Sequence, residues 1–234
     1  MTEPRAEVAD ALRDLAATLR HHRDLGVREL TLPREPFPAP PGPASALREQ
    51  EAARQGCQLC KLCASRSRVV FGSGSPNARL MVIGEGPGEE EDKQGKPFVG
   101  RAGQLLTKML ESVGFDRERD AYIANVVKCR PERNRNPEPD EVAACQPFLL
   151  AQIDTVQPHV ILAMGNFAVQ TLLGTKEGIT RLRGKAYTFR SIVLVPTYHP
   201  AFLLRNPGPE FRRQAWDDLK LARREHQRLS GGEG

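Results

Sequence analysis

Five cysteines are the residues whose spacing most directly suggests chemistry. Cys57, Cys60 and Cys63 form a CxxCxxC cluster, and Cys129 and Cys145 follow with 15 residues between them. An odd number of cysteines, behind an N-terminus without the apolar core of a secretory signal, argues against a disulfide framework. Four thiolates hold either zinc or an iron–sulfur cluster, and spacing alone does not choose between them. The pattern predicts a thiolate-bound metal or cluster and leaves Cys63 open as a further ligand.

Two polar residues are associated with apolar runs that resemble strands. Asn125 lies within AYIANVV, and its side-chain amide offers the donor and the acceptor needed to read the edge of a pyrimidine. His199 follows another run in VPTYHPAFLLRNP, where an imidazole can donate to a developing anion or move a proton. Taken alone, each residue type is more often structural than catalytic, so neither carries a function by itself.

A glycine-rich, acidic turn follows the first apolar run. Its sequence is GEGPGEEED, from Gly84 to Asp92. Glycines allow a tight turn and close approach of backbone to a ligand, which makes a dinucleotide-binding turn one alternative. Pro87 and the four acids at positions 89–92 count against it. They stand where a helix N-terminus would have to offer N–H groups and positive potential to a pyrophosphate.

The elements that must position these residues alternate along the chain. Apolar, β-prone runs occur at 80–83, 121–127, 160–164 and 192–195, and helical patterns occur at 45–56, 103–113, 140–156, 166–173 and 210–228. This alternation predicts a mostly parallel sheet covered on both faces. Ligands of such sheets bind at the carboxyl ends of the strands, which is where His199 is expected.

Three segments with different properties divide the chain. Residues 1–45 form an extension, in which an amphipathic helix over 6–20 presents one apolar side and six prolines between Pro33 and Pro43 make an extended linker. The apolar side consists of Val8, Leu12, Leu15 and Leu19. Residues 46–229 form the functional domain, and 230–234 are a flexible tail. A repair or replication protein that docks on residues 1–45 is a hypothesis.

Composition favours a soluble protein with a polyanionic partner. The 234 residues carry a formal net charge of +5 and a pI near 9.1, which is a weak indication of nucleic-acid binding. No apolar run approaches the roughly 20 residues of a membrane helix. We expect a cytoplasmic, nucleoid-associated monomer that does not bind membranes.

Three segments together resemble family 4 uracil-DNA glycosylases. They are RVVFGSGSPNARLMVIGEGPGEEEDKQGKPFVGRAGQLL, ANVVKCRP and YHPAFLLRNP, in the order found in that family and within a resemblance covering about residues 55–225. The resemblance implies a three-layer α/β/α sandwich around a four-stranded, mainly parallel sheet. It implies an enzyme that flips uracil out of single- or double-stranded DNA and hydrolyses its N-glycosidic bond, leaving an abasic site for base excision repair.

The resemblance also implies a cofactor. A [4Fe–4S] cluster would be held by Cys57, Cys60, Cys129 and Cys145, while Cys63 sits where the family needs no cysteine. Its expected role is structural, since it would tie the segment before the first strand to the loop after the second. A redox role has no support in the sequence.

The residues expected to bind uracil follow from the same motifs. They are Glu85, Gly86, Pro87, Phe98, Asn125 and His199. Phe98 resembles the aromatic that stacks on the flipped base, and Asn125 the amide that distinguishes uracil from cytosine. His199 resembles the donor to the uracil carbonyl as negative charge develops.

Water activation is the weaker part of the resemblance. The wider superfamily often has an acid at the position of Gly86, where it positions the attacking water. Here Glu85 is the first candidate for that role and Glu91 the second. Glu91 alternatively fills the space that a thymine methyl would need.

The segment after His199 is expected to be an exposed loop that contacts DNA. Leu203 is the best candidate for a wedge that enters the base stack, with Leu204 and Arg205 beside it. Arg205, Arg101 and Lys96 are expected to meet phosphates, which position the strand without reading sequence.

Two alternatives remain beside the uracil enzyme. Another glycosylase of the superfamily could prefer hypoxanthine or form a covalent adduct through a loop histidine, but RPERNRNPEPD after Cys129 contains no histidine. A non-catalytic, metal-stapled DNA-binding module is the second. Such a module would not need Glu85, Asn125 and His199 together.

Overall fold

The computed structural model describes residues 4–27 and 41–231, with side chains from residue 12 onward. Two compact units divide the chain, one ending at Pro40 and the other beginning at Pro41. Most of the predicted proline linker and the last three residues of the predicted tail lie outside the described residues.

In the described part of the first unit, residues 4–27, one helix is present, α1, over Pro4–Asp24. It is longer than the predicted span of 6–20. Leu12, Leu15 and Leu19 are exposed on it, as the amphipathic pattern predicts, while the side chain of Val8 lies outside the described residues. In the two described ranges, no helix is long and apolar enough to cross a membrane.

The second unit is built on a six-stranded sheet with the order β1-β3-β2-β4-β6-β5. The strands are β1 Ser73–Gly74, β2 Leu80–Gly84, β3 Ala121–Asn125, β4 Val160–Met164, β5 Tyr187–Phe189 and β6 Ile192–Thr197. The four predicted strands are the central ones, and they pair in parallel. Two short antiparallel strands, β1 and β5, extend the edges. The predicted α/β fold is confirmed.

Burial explains why the central strands read as continuous apolar runs. Every residue of β2, β3 and β4 is buried. Parallel strands that are covered on both faces have no solvent side, so they lose the alternation of apolar and polar residues. The central strands therefore form the middle layer of the core.

Helices connect the strands. They are α2 Pro43–Ala52, α3 Glu89–Gln94, α4 Arg101–Glu111, α5 Pro139–Val156, α6 Gly165–Leu173, α7 Ile179–Leu182, α8 Pro200–Arg205 and α9 Pro209–Ser230. Five match predicted spans, whereas α3, α7 and α8 were not predicted. Short 3-10 helices lie at Lys61–Ala64 and Glu132–Asn134.

The exposed loop predicted after His199 is wrong, because this segment forms α8. Pro200 occupies the first helical position, which its fixed φ favours, and the His199 side chain caps the helix. The helix turns Leu203 into the core, where it is 4% exposed, and leaves Leu204 41% exposed.

A buried carboxylate fixes the end of β6, from which His199 emerges. Asp218 on α9 accepts hydrogen bonds from the Arg183 guanidinium at 2.8 and 3.0 Å and from the Thr197 hydroxyl at 3.0 Å. It also accepts from the backbone N–H of Gly184 at 3.0 Å. Thr197 is the last residue of β6, so this network holds the strand end against α9.

Candidate active site

A cavity of about 630 Å³ opens at the carboxyl ends of β2, β3, β4 and β6. All six residues expected to bind uracil line it: Glu85, Gly86, Pro87, Phe98, Asn125 and His199. Glu91 and Arg205 line it as well, whereas Lys96, Arg101, Leu203 and Leu204 are not among its lining residues. The structure therefore brings together residues that are more than 100 positions apart in the sequence.

Asn125 ends β3 and stands beside Gly84, the last residue of β2. A Cβ on Gly84 would lie 2.5 Å from Asn125 Oδ1 and 2.6 Å from Phe98 Cζ, so only glycine allows both side chains to approach the strand. The Asn125 side chain is buried, and its Oδ1 has no hydrogen-bond partner among the described residues. A buried acceptor without a partner is costly. The cavity therefore suits a ligand with an N–H donor.

Phe98 is held in an unusual backbone conformation beside His199. Its φ is +52°, in the left-handed region that costs a non-glycine residue about 1–2 kcal/mol. The ring is buried and stacks on the His199 imidazole, with centroids 5.4 Å apart and planes at 30°. Glu91 Oε1 accepts hydrogen bonds from the N–H groups of Val99 and Gly100, both at 2.8 Å. Glu91 thus fixes the turn that follows Phe98, and its predicted role against thymine stays a prediction.

His199 presents a neutral imidazole to the cavity. Its Nδ1 accepts a hydrogen bond from the backbone N–H of Ala201 at 3.1 Å. Because that N–H can only donate, we assign the ring proton to Nε2. Burial lowers the pKa of His199 to about 4, with a smaller contribution in the same direction from the positive charge of Arg205. At neutral pH the side chain is therefore an uncharged Nε2–H donor.

Glu85 is the carboxylate that follows β2 into the cavity. Burial raises its pKa, and the positive charge of Arg205 opposes that shift. At the next position, a Cβ on Gly86 would lie 2.8 Å from Val127 Cγ2. An acid at position 86 would therefore require Val127 to move, which gives a steric reason for glycine here.

The four cysteines expected to bind a cluster line a second, smaller cavity. Cys57, Cys60, Cys129 and Cys145 all face it, and Cys63 is not among its lining residues. Cys63 lies on the 3-10 helix Lys61–Ala64. In the part of the chain that the structure describes, no three His, Cys, Asp or Glu side chains converge closely enough to hold a single metal ion.

Positive charges and N–H donors surround these sulfurs. Arg66 Nη1 donates to Cys129 Sγ at 3.4 Å, and the backbone N–H of Lys128 donates to Cys145 Sγ at 3.3 Å. Burial nevertheless raises the pKa of Cys129 to about 12, and it raises the pKa of Cys145 as well. Protonated thiols are thus favoured unless a cationic group binds the sulfurs. The four cysteines therefore fit a ligand that brings metal cations to their sulfurs.

The family-level comparison agrees with this arrangement of residues. Residues 71–220, which include β2 through most of α9, match the model of the uracil DNA glycosylase superfamily. The chain belongs to the uracil DNA glycosylase superfamily. The predicted membership is confirmed.

Individual relatives place the chain within the superfamily. It is similar to a type-4 uracil-DNA glycosylase of Thermotoga maritima, with 49% identity over 169 residues that make up 71% of this chain and 88% of the relative. A type-4 uracil-DNA glycosylase of Sulfurisphaera tokodaii is 43% identical over 71% of this chain and 79% of its own length. A type-5 uracil-DNA glycosylase of Pyrobaculum aerophilum is 30% identical, over 58% and 66%.

The sequence interpretation missed one part of the cavity at the strand ends, the part that lies after β4. Gly165, Asn166, Phe167 and Gln170, at the start of α6, line the cavity. Asn166 Oδ1 accepts a hydrogen bond from the N–H of Ile179 at 2.6 Å, which joins α6 to α7. The signal was available, since ligand sites in parallel sheets use the carboxyl end of every central strand.

On the α8 side of the same cavity, the exposure of one residue differs from the prediction. Leu203 is buried, and its expected exposure is wrong. Leu204 is the exposed leucine of α8, and the next residue, Arg205, is exposed and lines the cavity. Lys96 and Arg101 are both exposed, so their predicted phosphate contacts stay predictions.

Proposed function

We propose that the protein removes uracil from DNA by hydrolysing the bond between deoxyribose C1′ and uracil N1, the first step of base excision repair. One observation carries this proposal. The Nε2–H donor of neutral His199 and the unpartnered acceptor of buried Asn125 belong to a single cavity. A base inside a duplex cannot reach such a cavity, so the target nucleotide is first extruded. Phe98 supplies an aromatic ring for the extruded base to stack on.

His199 acts on charge that develops during bond cleavage. As the bond lengthens, the sugar becomes cationic and the uracil anionic. An N–H aimed at the uracil carbonyl binds that anion more strongly than it binds the neutral base, so it lowers the barrier. With a pKa of about 4, the imidazole is a hydrogen-bond donor at neutral pH rather than a general acid.

Asn125 supplies selectivity. Uracil offers an acceptor at O4 and a donor at N3–H, which match the donor and acceptor of one amide. Cytosine reverses both, so a buried amide would face a like group at each position, and such mismatches are strongly rejected. Asn125→Asp should raise activity on cytosine relative to uracil while lowering the overall rate. An unchanged ratio of the two rates would remove Asn125 from this role.

Glu85 is the carboxylate that we assign to the attacking water. Although burial raises its pKa, a carboxylate beside Arg205 has a positive charge to favour its ionised form. An ionised carboxylate orients water toward the cationic sugar and stabilises that cation. If Glu85→Gln excised uracil at the wild-type rate, the role of orienting the water would pass to Glu91.

Cys57, Cys60, Cys129 and Cys145 would hold a [4Fe–4S] cluster. In such a cluster each iron takes one protein thiolate, so the four sulfurs surround a volume rather than converge on one ion. The shared cavity brings the four cysteines together, and the preference for a cluster over zinc rests on the similarity to type-4 relatives. The cluster would supply cross-links between segments and no step of the hydrolysis.

Iron content tests the ligand set. Cys145→Ser should lower iron and sulfide per chain and the melting temperature together. Cys63→Ser is the matched control and should change neither, because Cys63 does not line the cavity. Equal losses in both variants would contradict the assignment, and zinc in place of iron would refute the cluster.

Excision itself is tested with an end-labelled oligonucleotide that carries one uracil. Abasic sites are cleaved with alkali, and wild type is compared with His199→Ala. Loss of one such donor typically lowers the rate by about 10²–10³. Circular dichroism and iron content check that the variant is folded. Normal activity in His199→Ala would remove its assigned role, and no cleavage by wild-type protein carrying its iron would favour a DNA-binding module.

A further inference from the structure

The loop between β3 and α5 is fixed at both ends. We call residues 130–136 the arginine loop. At its start, Arg130 Nε donates to Asn134 Oδ1 at 2.8 Å. At its end, the Arg135 guanidinium makes two hydrogen bonds, at 2.9 and 2.5 Å, to the carboxylate of fully buried Glu141 on α5. The tip of the loop is therefore held by contacts on each side of it.

Two consecutive residues at the tip have left-handed backbone. Arg133 has φ +52° and Asn134 has φ +56°. Asparagine adopts this conformation readily, but arginine does so only where its surroundings impose it. The result is an arginine side chain directed into solvent, 92% exposed, with a long ion pair of 3.9 Å to exposed Glu132.

The arginine loop and α8 lie at opposite ends of the cavity mouth. Pro131, Asn134, Arg135 and Asn136 line the cavity, and so does Arg205 of α8. The loop follows β3 and α8 follows β6, and these are the outer strands of the parallel set β3-β2-β4-β6. Three strand spacings of about 4.8 Å separate their ends by roughly 14 Å.

We propose that Arg133 binds a backbone phosphate of the strand that carries the target nucleotide, on the flank opposite Arg205. This inference rests on the proposed function and adds a DNA contact to it. Duplex DNA advances about 3.4 Å per nucleotide along its axis, so the roughly 14 Å between the two strand ends corresponds to about four nucleotides, which leaves room for the extruded one between the two flanks. An exposed guanidinium suits phosphate, the group that receives most protein–DNA hydrogen bonds.

For Glu132 we predict an effect on DNA binding that is opposite in sign to that of Arg133. Its carboxylate neighbours Arg133 and would repel the same phosphate. Glu132→Gln should therefore tighten DNA binding, while Arg133→Gln weakens it. A merely structural role for the turn gives no reason for the two variants to differ in sign.

Binding measured across salt concentrations tests the contact. The probe is a fluorescent duplex with a tetrahydrofuran abasic analogue, titrated from about 50 to about 200 mM salt. Arg133→Gln should reduce the slope of log K against log salt by roughly 0.9, the value for one phosphate contact. Arg133→Gly should give the same loss, and it guards against misfolding because glycine accepts a positive φ.

Arg190→Gln is the matched control. Arg190 is also a left-handed, exposed arginine, with φ +53°, but it lies in the turn before β6 and therefore at the far end of that strand from His199. Its salt slope should equal that of wild type. An unchanged slope in Arg133→Gln, or an equal loss in Arg190→Gln, overturns the inference.

The same assay separates this inference from the proposed function. Wild type that excises uracil while Arg133→Gln keeps its slope overturns the phosphate contact alone. Wild type that binds the duplex but excises no uracil contradicts the proposed function, and the Arg133 comparison still decides the contact. Wild type that does not bind the duplex overturns both.

Discussion

The neutral state of His199 makes stability depend on pH in a defined window. In an unfolded chain the imidazole has a pKa near 6.5, and in the folded protein it is lowered to about 4. Between these values the unfolded chain binds the proton and the folded protein does not. The free energy of unfolding therefore falls as pH falls from 6.5 toward 4. At pH 5 the loss is about 1.5 pKa units at 1.36 kcal/mol each, or about 2 kcal/mol.

His199→Asn isolates this contribution. Asparagine is a favoured N-cap residue, so its Oδ1 can replace Nδ1 as acceptor for the Ala201 N–H without titrating. Urea unfolding of both proteins at pH 7, 6 and 5 gives the difference in their stabilities. Other groups, including Glu85 with its raised pKa, titrate in both proteins and cancel.

The stability of wild type relative to His199→Asn should fall by about 2 kcal/mol from pH 7 to pH 5. A difference that stays constant over this range would mean that the folded protein does not hold the imidazole neutral. The assignment of Nε2–H as an uncharged donor would then fail with it.

Three further predictions concern Gly84 beside the cavity and the two leucines of α8. In Gly84→Ala, the new Cβ would lie 2.5 Å from Asn125 Oδ1 and 2.6 Å from Phe98 Cζ. Because both side chains would have to shift, kcat/KM on uracil DNA should fall about 10²-fold or more. Near-normal kinetics would show that the protein relieves this contact without cost. Leu203→Ala should lower the free energy of unfolding by about 2–5 kcal/mol, because that side chain is buried. Leu204→Ala should instead change the free energy of unfolding by at most about 0.5 kcal/mol. It should slow excision from duplex DNA more than from single-stranded DNA, because a wedge acts on stacked bases. Equal effects on both substrates would contradict a wedge at Leu204.

The central strands could be predicted because strands buried on both faces appear in the sequence as continuous apolar runs. The predicted span 160–164 and the observed β4, Val160–Met164, have the same bounds. Continuous apolar runs between helical patterns have few other structures available to them. The edge strands gave no such signal, since β1 has two residues and β5 has three.

The helix α8 was missed although its local signals were present. Pro200 is its first residue, and the capping side chain of His199 comes directly before it. The sequence interpretation weighed a structural and a catalytic role for His199, but it did not consider that this side chain caps a helix. As a result, Leu203 was wrongly predicted to be exposed. Which side chains of this segment are buried depends on its helical conformation, and that conformation was not predicted.

The candidate site residues were identified through resemblance, and their chemical states required the structure. Nothing in the sequence shows that Nδ1 of His199 is occupied by a backbone N–H, or that Asn125 Oδ1 is buried without a partner. Both facts depend on contacts between residues brought together by folding. For the cysteines, spacing left Cys63 open as a ligand, and only the arrangement of the fold separates it from the other four.

The cysteine cavity and the uracil cavity are joined by one short segment of backbone. Asn125 and Cys129 are separated by three residues, and one of these, Lys128, contacts both sites. Its Nζ donates to the backbone carbonyl of Asn125 at 2.8 Å, while its own N–H donates to Cys145 Sγ. A second bond, to Gln152 Oε1 at 2.5 Å, holds Lys128 against α5. The proposed cluster would therefore stiffen the segment that sets the position of Asn125, and through it would affect the proposed selectivity for uracil.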